Sequence, residues 1–292
     1  MQPQKITVPS IRARKADPNS AKITALTAYD FTFARLLDQA GIDILLVGDS
    51  VATVVQGEQT TLPVTLEQII YHAKCVRKGA ERALIVADLP FLSYQASPEQ
   101  AILSAGQILK ESGVSAVKLE GGVAMAETVR RMVEVDIPVM GHIGLTPQSY
   151  HRMGGHKVQG RGNQNGSSAA REKIIKDAEA LDKAGVFALV LEGVPCELAS
   201  EITQMVSIPT IGIGAGLDCD GQILVSYDLL GLDESFAPKF VKQFANLAAE
   251  CKQAVGTYIS EVQGGKFPAK EHTFSEATQS SRAVNSNDLK LV

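Results

Sequence analysis

Short runs rich in apolar residues recur through this chain, and most of them stop at a glycine or an acid. They cover residues 23–26, 42–47, 83–87, 117–119, 137–140, 187–191, 209–213 and, more weakly, 223–225. Runs that are almost wholly apolar suit strands covered on both faces, as in a parallel sheet packed under helices. Amphipathic helical patterns fill the intervals. Thr65 and Ser97-Pro98 supply helix starts, and Gly41 and Gly113 supply stops. About eight strands alternating with helices, in one chain of 292 residues, predict a single (β/α)8 TIM barrel. A doubly wound sheet is the alternative. Gly212-x-Gly214-x-Gly216 lacks the G-x-G-x-x-G spacing of that fold's nucleotide turn and falls late in the chain. These glycines read first as tight turns at a strand end.

The barrel is expected over residues 1–272, with a short helical arm over 6–15 and a long amphipathic helix over 236–261. Residues 273–292 read as a polar, disordered tail. The segment 145–166 is long, rich in glycine, and carries His151, Arg152, His156, Lys157 and Arg161. A connection of that length in a compact domain is usually functional or disordered, and as a functional loop this one is a candidate lid.

Composition removes several function classes. The net charge is -4 and no basic stripe is present, so nucleic acid is not expected as a partner. No run is long and apolar enough for a membrane span. Cys75, Cys196, Cys219 and Cys251 are scattered without a C-x-x-C pair, which argues against a cysteine zinc site or disulfide framework and for a cytoplasmic location.

In such a barrel the active site lies at the C-terminal ends of the strands. Asp49, Asp88, Glu120, His142 and Glu192 end five successive runs. One acid at a strand end is often a cap or turn residue, but four among five positions form a pattern. Carboxylates gathered there repel one another, and a hard cation relieves the repulsion. Mg²⁺, which takes few carboxylates and keeps sites for water and substrate oxygens, fits best. Lys118 and Glu120 alternate onto one face of their strand, as an ion pair or as separate substrate and metal contacts. Lys118 is also a candidate Schiff-base amine. Ser50 lacks a G-x-S-x-G elbow and reads as a hydrogen-bond donor to substrate. A zinc site at His151 and His156 is a weaker alternative, because Gly154-Gly155 breaks the helical spacing.

Several motifs, in order, resemble the ketopantoate hydroxymethyltransferase family. They are Leu46-Val47-Gly48-Asp49-Ser50, Thr61-Leu62-Pro63-Val64-Thr65, Ala87-Asp88-Leu89-Pro90-Phe91 and Val117-Lys118-Leu119-Glu120-Gly121-Gly122. Gly141-His142-Ile143-Gly144-Leu145-Thr146-Pro147-Gln148, Lys157-Val158-Gln159-Gly160-Arg161, Leu191-Glu192-Gly193-Val194-Pro195 and Ile211-Gly212-Ile213-Gly214-Ala215-Gly216 extend the match, which runs over about 23–272. The resemblance implies a barrel of the phosphoenolpyruvate-mutase and isocitrate-lyase superfamily. It implies hydroxymethyl transfer from 5,10-methylenetetrahydrofolate to 3-methyl-2-oxobutanoate, giving 2-dehydropantoate in pantothenate synthesis. It further implies Mg²⁺ held by Asp49, Asp88 and Glu120, keto-acid contacts from Asp49, Ser50, Asp88, Lys118 and His142, Glu192 as base, and a homodecamer of two pentameric rings. His156 and Gly193 stand where relatives often carry tyrosine and some carry cysteine. A lyase or mutase of the same superfamily, and a non-catalytic ligand-binding barrel, are the competing readings.

Overall fold

The computed structural model describes residues 4–17, 19–155, 157–161, 169–234 and 238–274. Eight parallel strands close in chain order: β1 (Ile23–Thr27), β2 (Ile44–Val47), β3 (Leu84–Asp88), β4 (Ala116–Glu120), β5 (Val139–Gly144), β6 (Ala188–Glu192), β7 (Thr210–Ile213) and β8 (Gly221–Leu224). β1 pairs with β2 on one side and β8 on the other, so no strand edge is left open. The fold is the expected (β/α)8 barrel.

Local chemistry sets the outer helices. Thr65 and Gln68 form a reciprocal capping box at the start of Leu66–Gly79. Ser97 accepts the Gln100 N–H at the start of Pro98–Ser112, and Gly113, at φ 73°, ends that helix in the left-handed region. Between β7 and β8 the described residues hold no helix, and the helix directly after β8 is the short Ser226–Leu230.

The period of two along each strand divides the apolar residues between two cores. Leu45, Val47, Ile85, Ala87, Val117, Leu119, Leu189 and Leu191 pack outward against the helices. Ile44, Leu46, Leu84, Val86, Ala116, Met140, Ala188 and Val190 fill the barrel, joined by Ile6 and Ile11 from the N-terminal arm. Asp88, Lys118, Glu120, His142 and Glu192 continue these inward rows by one or two further steps of two. The strand ends therefore aim charged side chains at the barrel axis where lower layers are hydrocarbon.

Several boundaries differ from the pattern read in the sequence, among them the starts of β2 at Ile44 and β5 at Val139, and the arm helix at Val8–Ala13. β8 starts at Gly221, and the last long helix runs over Leu247–Gln263 instead of 236–261. Asn246 starts that helix by accepting the Ala249 N–H through its side chain. The earlier apolar residues have other tasks. Phe240 packs on Gly214, where a β-carbon would come within 2.9 Å of the ring, and the Phe244 N–H bonds Leu229 O. By compactness the chain divides into Met1–Ala245 and Asn246–Val292. Within the second unit the Phe267 ring contacts Tyr258 and His272. The expected tail beyond Phe274 lies outside the described residues. No helix among the described residues is long and apolar enough to cross a membrane.

Gly144 ties this frame to β6. Its φ is 95°, and a β-carbon there would lie 2.3 Å from Glu192 O, which also accepts the Leu145 N–H. Gly144→Ala is expected to cost on the order of 1–3 kcal/mol of unfolding free energy, read by urea denaturation. A change within error would show that the close approach is not a constraint.

Candidate active site at the barrel mouth

Asp88, Lys118, Glu120 and His142 are all buried, at 2–5% exposure, although each carries a charge or an ionisable ring. Such groups are costly to bury without partners. Lys118 does not pair with Glu120, its neighbour on the same face. Its Nζ lies 2.6 Å from Asp88 Oδ1 on the adjacent strand. The Asp88 carboxylate also accepts the Asp49 N–H through Oδ2, at 3.0 Å. A β-carbon at Gly48 would crowd Ser50 Oγ at 2.7 Å, so the glycine leaves room for that hydroxyl.

The charges do not balance. Asp49, Asp88 and Glu120 crowd around one lysine. Burial, and then the field of Asp88, push Asp49 up to about 7. Burial, and then Asp49, raise Glu120 well above the usual carboxylate range. Burial pulls Lys118 down, but Asp88, Glu120 and Asp49 outweigh it and hold it above its ordinary value, firmly cationic. A Schiff-base role needs a neutral amine, so this environment opposes it.

His142 stands between two acids. Nε2 is 3.2 Å from Glu192 Oε2 and Nδ1 is 3.6 Å from Glu120 Oε1. Neither contact is aligned as a hydrogen bond, and Glu120 Oε1 likewise has no hydrogen-bond donor among the described residues. Burial, and then Lys118, lower the His142 pKa against the opposing pull of Glu192, which favours the neutral ring. Ser50 Oγ is 2.8 Å from Tyr29 Oη, which fixes the hydroxyl at the rim.

Gln148 and Tyr94 hold the acids in place, and no spacing in the sequence gave either a role. The Gln148 side-chain amide donates to Asp49 Oδ2 and to Leu89 O, both at 3.0 Å. Its backbone N–H donates to Glu120 Oε2 at 3.0 Å, and its Oε1 accepts the Gln95 amide. Tyr94 Oη lies 2.8 Å from Gln148 Oε1 and accepts the Glu120 N–H. Three strand ends and the loop after β5 thus share one network. Gln148 lay inside the recognised Gly141-to-Gln148 motif, which was the available signal. Tyr94 had none.

All of the predicted site residues (Asp49, Ser50, Asp88, Lys118, Glu120, His142 and Glu192) line one cavity of about 1240 Å³. Leu145, Pro147, Tyr150, Val158 and Arg161 bring the long loop to the same wall. In that loop Tyr150–Met153 is a short helix, while His156 and residues 162–166 lie outside the described residues. The zinc alternative at His151 and His156 falls partly outside the described residues, through His156. Among the described residues, no group of three or more His, Cys, Asp or Glu side chains forms a ready-made metal cage. The donor chemistry still fits Mg²⁺, which takes few carboxylates, directly or through water, and completes its shell with water and substrate oxygens. Excess buried negative charge and the unpartnered Glu120 oxygen are the features it would satisfy.

Comparison with known proteins places the chain among relatives of one family. A sequence model described as ketopantoate hydroxymethyltransferase matches residues 5–270. A 3-methyl-2-oxobutanoate hydroxymethyltransferase of Trichlorobacter lovleyi is 52% identical, covering 93% of this chain and 99% of the relative. One from Syntrophotalea carbinolica is 54% identical, covering 92% and 98%. Among solved structures, 2,3-dimethylmalate lyase, a PEP mutase/isocitrate lyase superfamily member, aligns with TM-score 0.59 at 19% identity over 93% of each chain. The phosphoenolpyruvate phosphomutase of Streptomyces platensis subsp. rosaceus aligns with TM-score 0.58 at 14% identity over 92% of each. These two likenesses show the barrel fold alone.

Two outcomes are expected of the site. Gln148→Leu strands the Asp49 and Tyr94 partners, and is expected to lower stability by about 1–3 kcal/mol and to weaken Mg²⁺ binding. Unchanged affinity in a metal titration would remove Gln148 from the metal's support. The second concerns pH. Asp49 and Glu120 have raised folded values, so their stabilising contribution is full below the ordinary carboxylate range and is lost as pH rises through the folded values. His142, lowered, works in the opposite sense near its ordinary value. Two acids outweigh one imidazole, so the metal-free protein is expected to lose stability between roughly pH 4 and pH 7. Asp49→Asn should flatten the profile, and an unchanged profile would contradict the assignment.

Proposed function

Because this chain belongs to the ketopantoate hydroxymethyltransferase family, we propose that its barrel mouth transfers a hydroxymethyl group from 5,10-methylenetetrahydrofolate to 3-methyl-2-oxobutanoate, giving 2-dehydropantoate with Mg²⁺ bound. The observation that carries this reading is the inward row of Asp88, Lys118, Glu120, His142 and Glu192 on four adjacent strands, with Asp49 beside Asp88. Asp49, Asp88 and Glu120 would hold the ion. When bound, Mg²⁺ supplies the Lewis-acid charge that makes the proton at C3 of an α-keto acid removable.

The chain's own residues supply the remaining steps. Lys118, kept cationic by Asp88, meets the substrate carboxylate. Ser50, oriented by Tyr29, donates a hydrogen bond to the substrate. His142 offers ring nitrogens that the fold leaves unsatisfied, and so contacts the keto acid while flanking Glu192. Glu192, the most exposed acid of the row with its side chain 17% accessible, takes the C3 proton. The resulting enolate carbon bonds the methylene carbon of the folate donor, the carbon–nitrogen bonds to tetrahydrofolate break, and one water supplies the oxygen of the new hydroxymethyl group. The cavity-lining part of the loop after β5 shields the enolate from bulk solvent, so that water enters only as the reactant of the transfer. A cytoplasmic location and a decamer of two pentameric rings belong to the same reading, and sedimentation tests the latter.

Asp49→Ala and Asp88→Ala are expected to reduce turnover roughly a hundredfold or more, and Glu192→Gln by about 10²–10⁴. Tetrahydrofolate release in the presence of 3-methyl-2-oxobutanoate is the assay. Turnover that survives thorough chelation would remove the metal. Carbon–carbon cleavage of an oxo acid without tetrahydrofolate release would favour the lyase reading.

A further inference from the structure

The polar groups occupy only part of the barrel mouth. β2 to β6 bring Asp49, Asp88, Lys118, Glu120, His142 and Glu192. The remaining arc, β7, β8 and β1, ends in Ile213, Leu224 and Thr27. The Thr27 hydroxyl is already engaged, accepting the Ser226 N–H at 3.0 Å. This arc is nonetheless part of the same cavity, whose volume of about 1240 Å³ exceeds the usual span of about 300–1,000 Å³ for a ligand site. A short branched keto acid fills a small fraction of that space.

The arc has the features of a slot for a flat polar heterocycle. Ile223, Leu224 and Val225 form an apolar wall. The Phe240 ring lies over Gly214 at the end of β7, a contact that a β-carbon at Gly214 would obstruct. Phe240 keeps 41% of its surface exposed. One ionisable group at this end, Asp228, is half-buried. Burial, and then Asp233, push it up to about 6, and no hydrogen-bond donor contributes to its shift. It remains a carboxylate acceptor at neutral pH.

We propose that the β7–β8–β1 arc is the pterin subsite: Asp228 accepts the adjacent N–H groups of the 2-amino-4-oxopyrimidine edge, and Phe240 covers a face of the bicycle. This rests on the folate-donor reading and extends it by assigning residues to the donor. Two adjacent N–H donors match the two oxygens of one carboxylate, and the aromatic face matches the exposed ring. The placement sets the donor's one-carbon unit across the mouth from the metal acids, where the enolate carbon must meet it. Lys239, beside Phe240 on the rim, is the cation for the donor's anionic glutamate tail.

Calorimetric titration of the full-length protein with Mg²⁺ tests this. Tetrahydrofolate and 3-methyl-2-oxobutanoate are titrated separately into the wild type, Asp228→Asn and Phe240→Ala. Each substitution is expected to raise the tetrahydrofolate Kd about tenfold, well beyond any change in the keto-acid Kd. Tetrahydrofolate affinity equal to the wild type in both variants overturns the subsite while leaving the donor reading intact. Equal weakening of both ligands also overturns it, since that marks a general loss of structure. A wild type that binds no tetrahydrofolate overturns the donor reading itself.

Discussion

A buried lysine paired with one carboxylate, in the midst of more carboxylates than it can neutralise, governs the upper half of this barrel. The Lys118–Asp88 contact of 2.6 Å joins two adjacent strands at a depth where other inward positions are aliphatic. Removing charges from water is expensive, and replacing such pairs with hydrocarbon is often stabilising. The inward rows of Leu84 and Val86, or Ala188 and Val190, show that this sequence readily supplies hydrocarbon there. That five successive inward positions carry charge or imidazole instead marks a local departure from the packing rule, the kind expected where function sets the residues.

The structure holds this strained electrostatic arrangement with neutral groups. Gln148 and Tyr94 bring amide and hydroxyl hydrogen bonds to Asp49, to Glu120 and to the Leu89 carbonyl, without adding charge to the cluster. Tyr29 does the same for Ser50. Closure of the sheet fixes the relative positions of the strand ends, so the charges cannot relax apart. The same closure leaves the β7–β8–β1 arc facing them across an apolar gap.

Much of the acid cluster was legible in the sequence because a strand converts linear spacing into direction. Apolar runs ending in Asp88, Glu120 and Glu192 give position and orientation together, and the period of two puts Lys118 with Glu120 on the inner face. Which partner Lys118 takes was not legible, since Asp88 is brought to it by strand pairing, 30 positions away. Gln148 and Tyr94 were hidden for the same reason: they act from loops, where spacing does not fix direction. The helix expected from 236 failed for a related cause. Phe240 and Phe244 look like a helical face, but the ring of one packs on Gly214 and the backbone of the other bonds Leu229.

The central chemical claim is that this cluster, with Mg²⁺, lets Glu192 remove a proton from carbon. Its most direct measurement is solvent deuterium exchange at C3 of 3-methyl-2-oxobutanoate, followed by NMR in the absence of folate. Exchange that requires Mg²⁺ and stops on chelation is the predicted result for the wild type, with Glu192→Gln inactive. Exchange that persists without metal, or that proceeds equally well in Glu192→Gln, would contradict it.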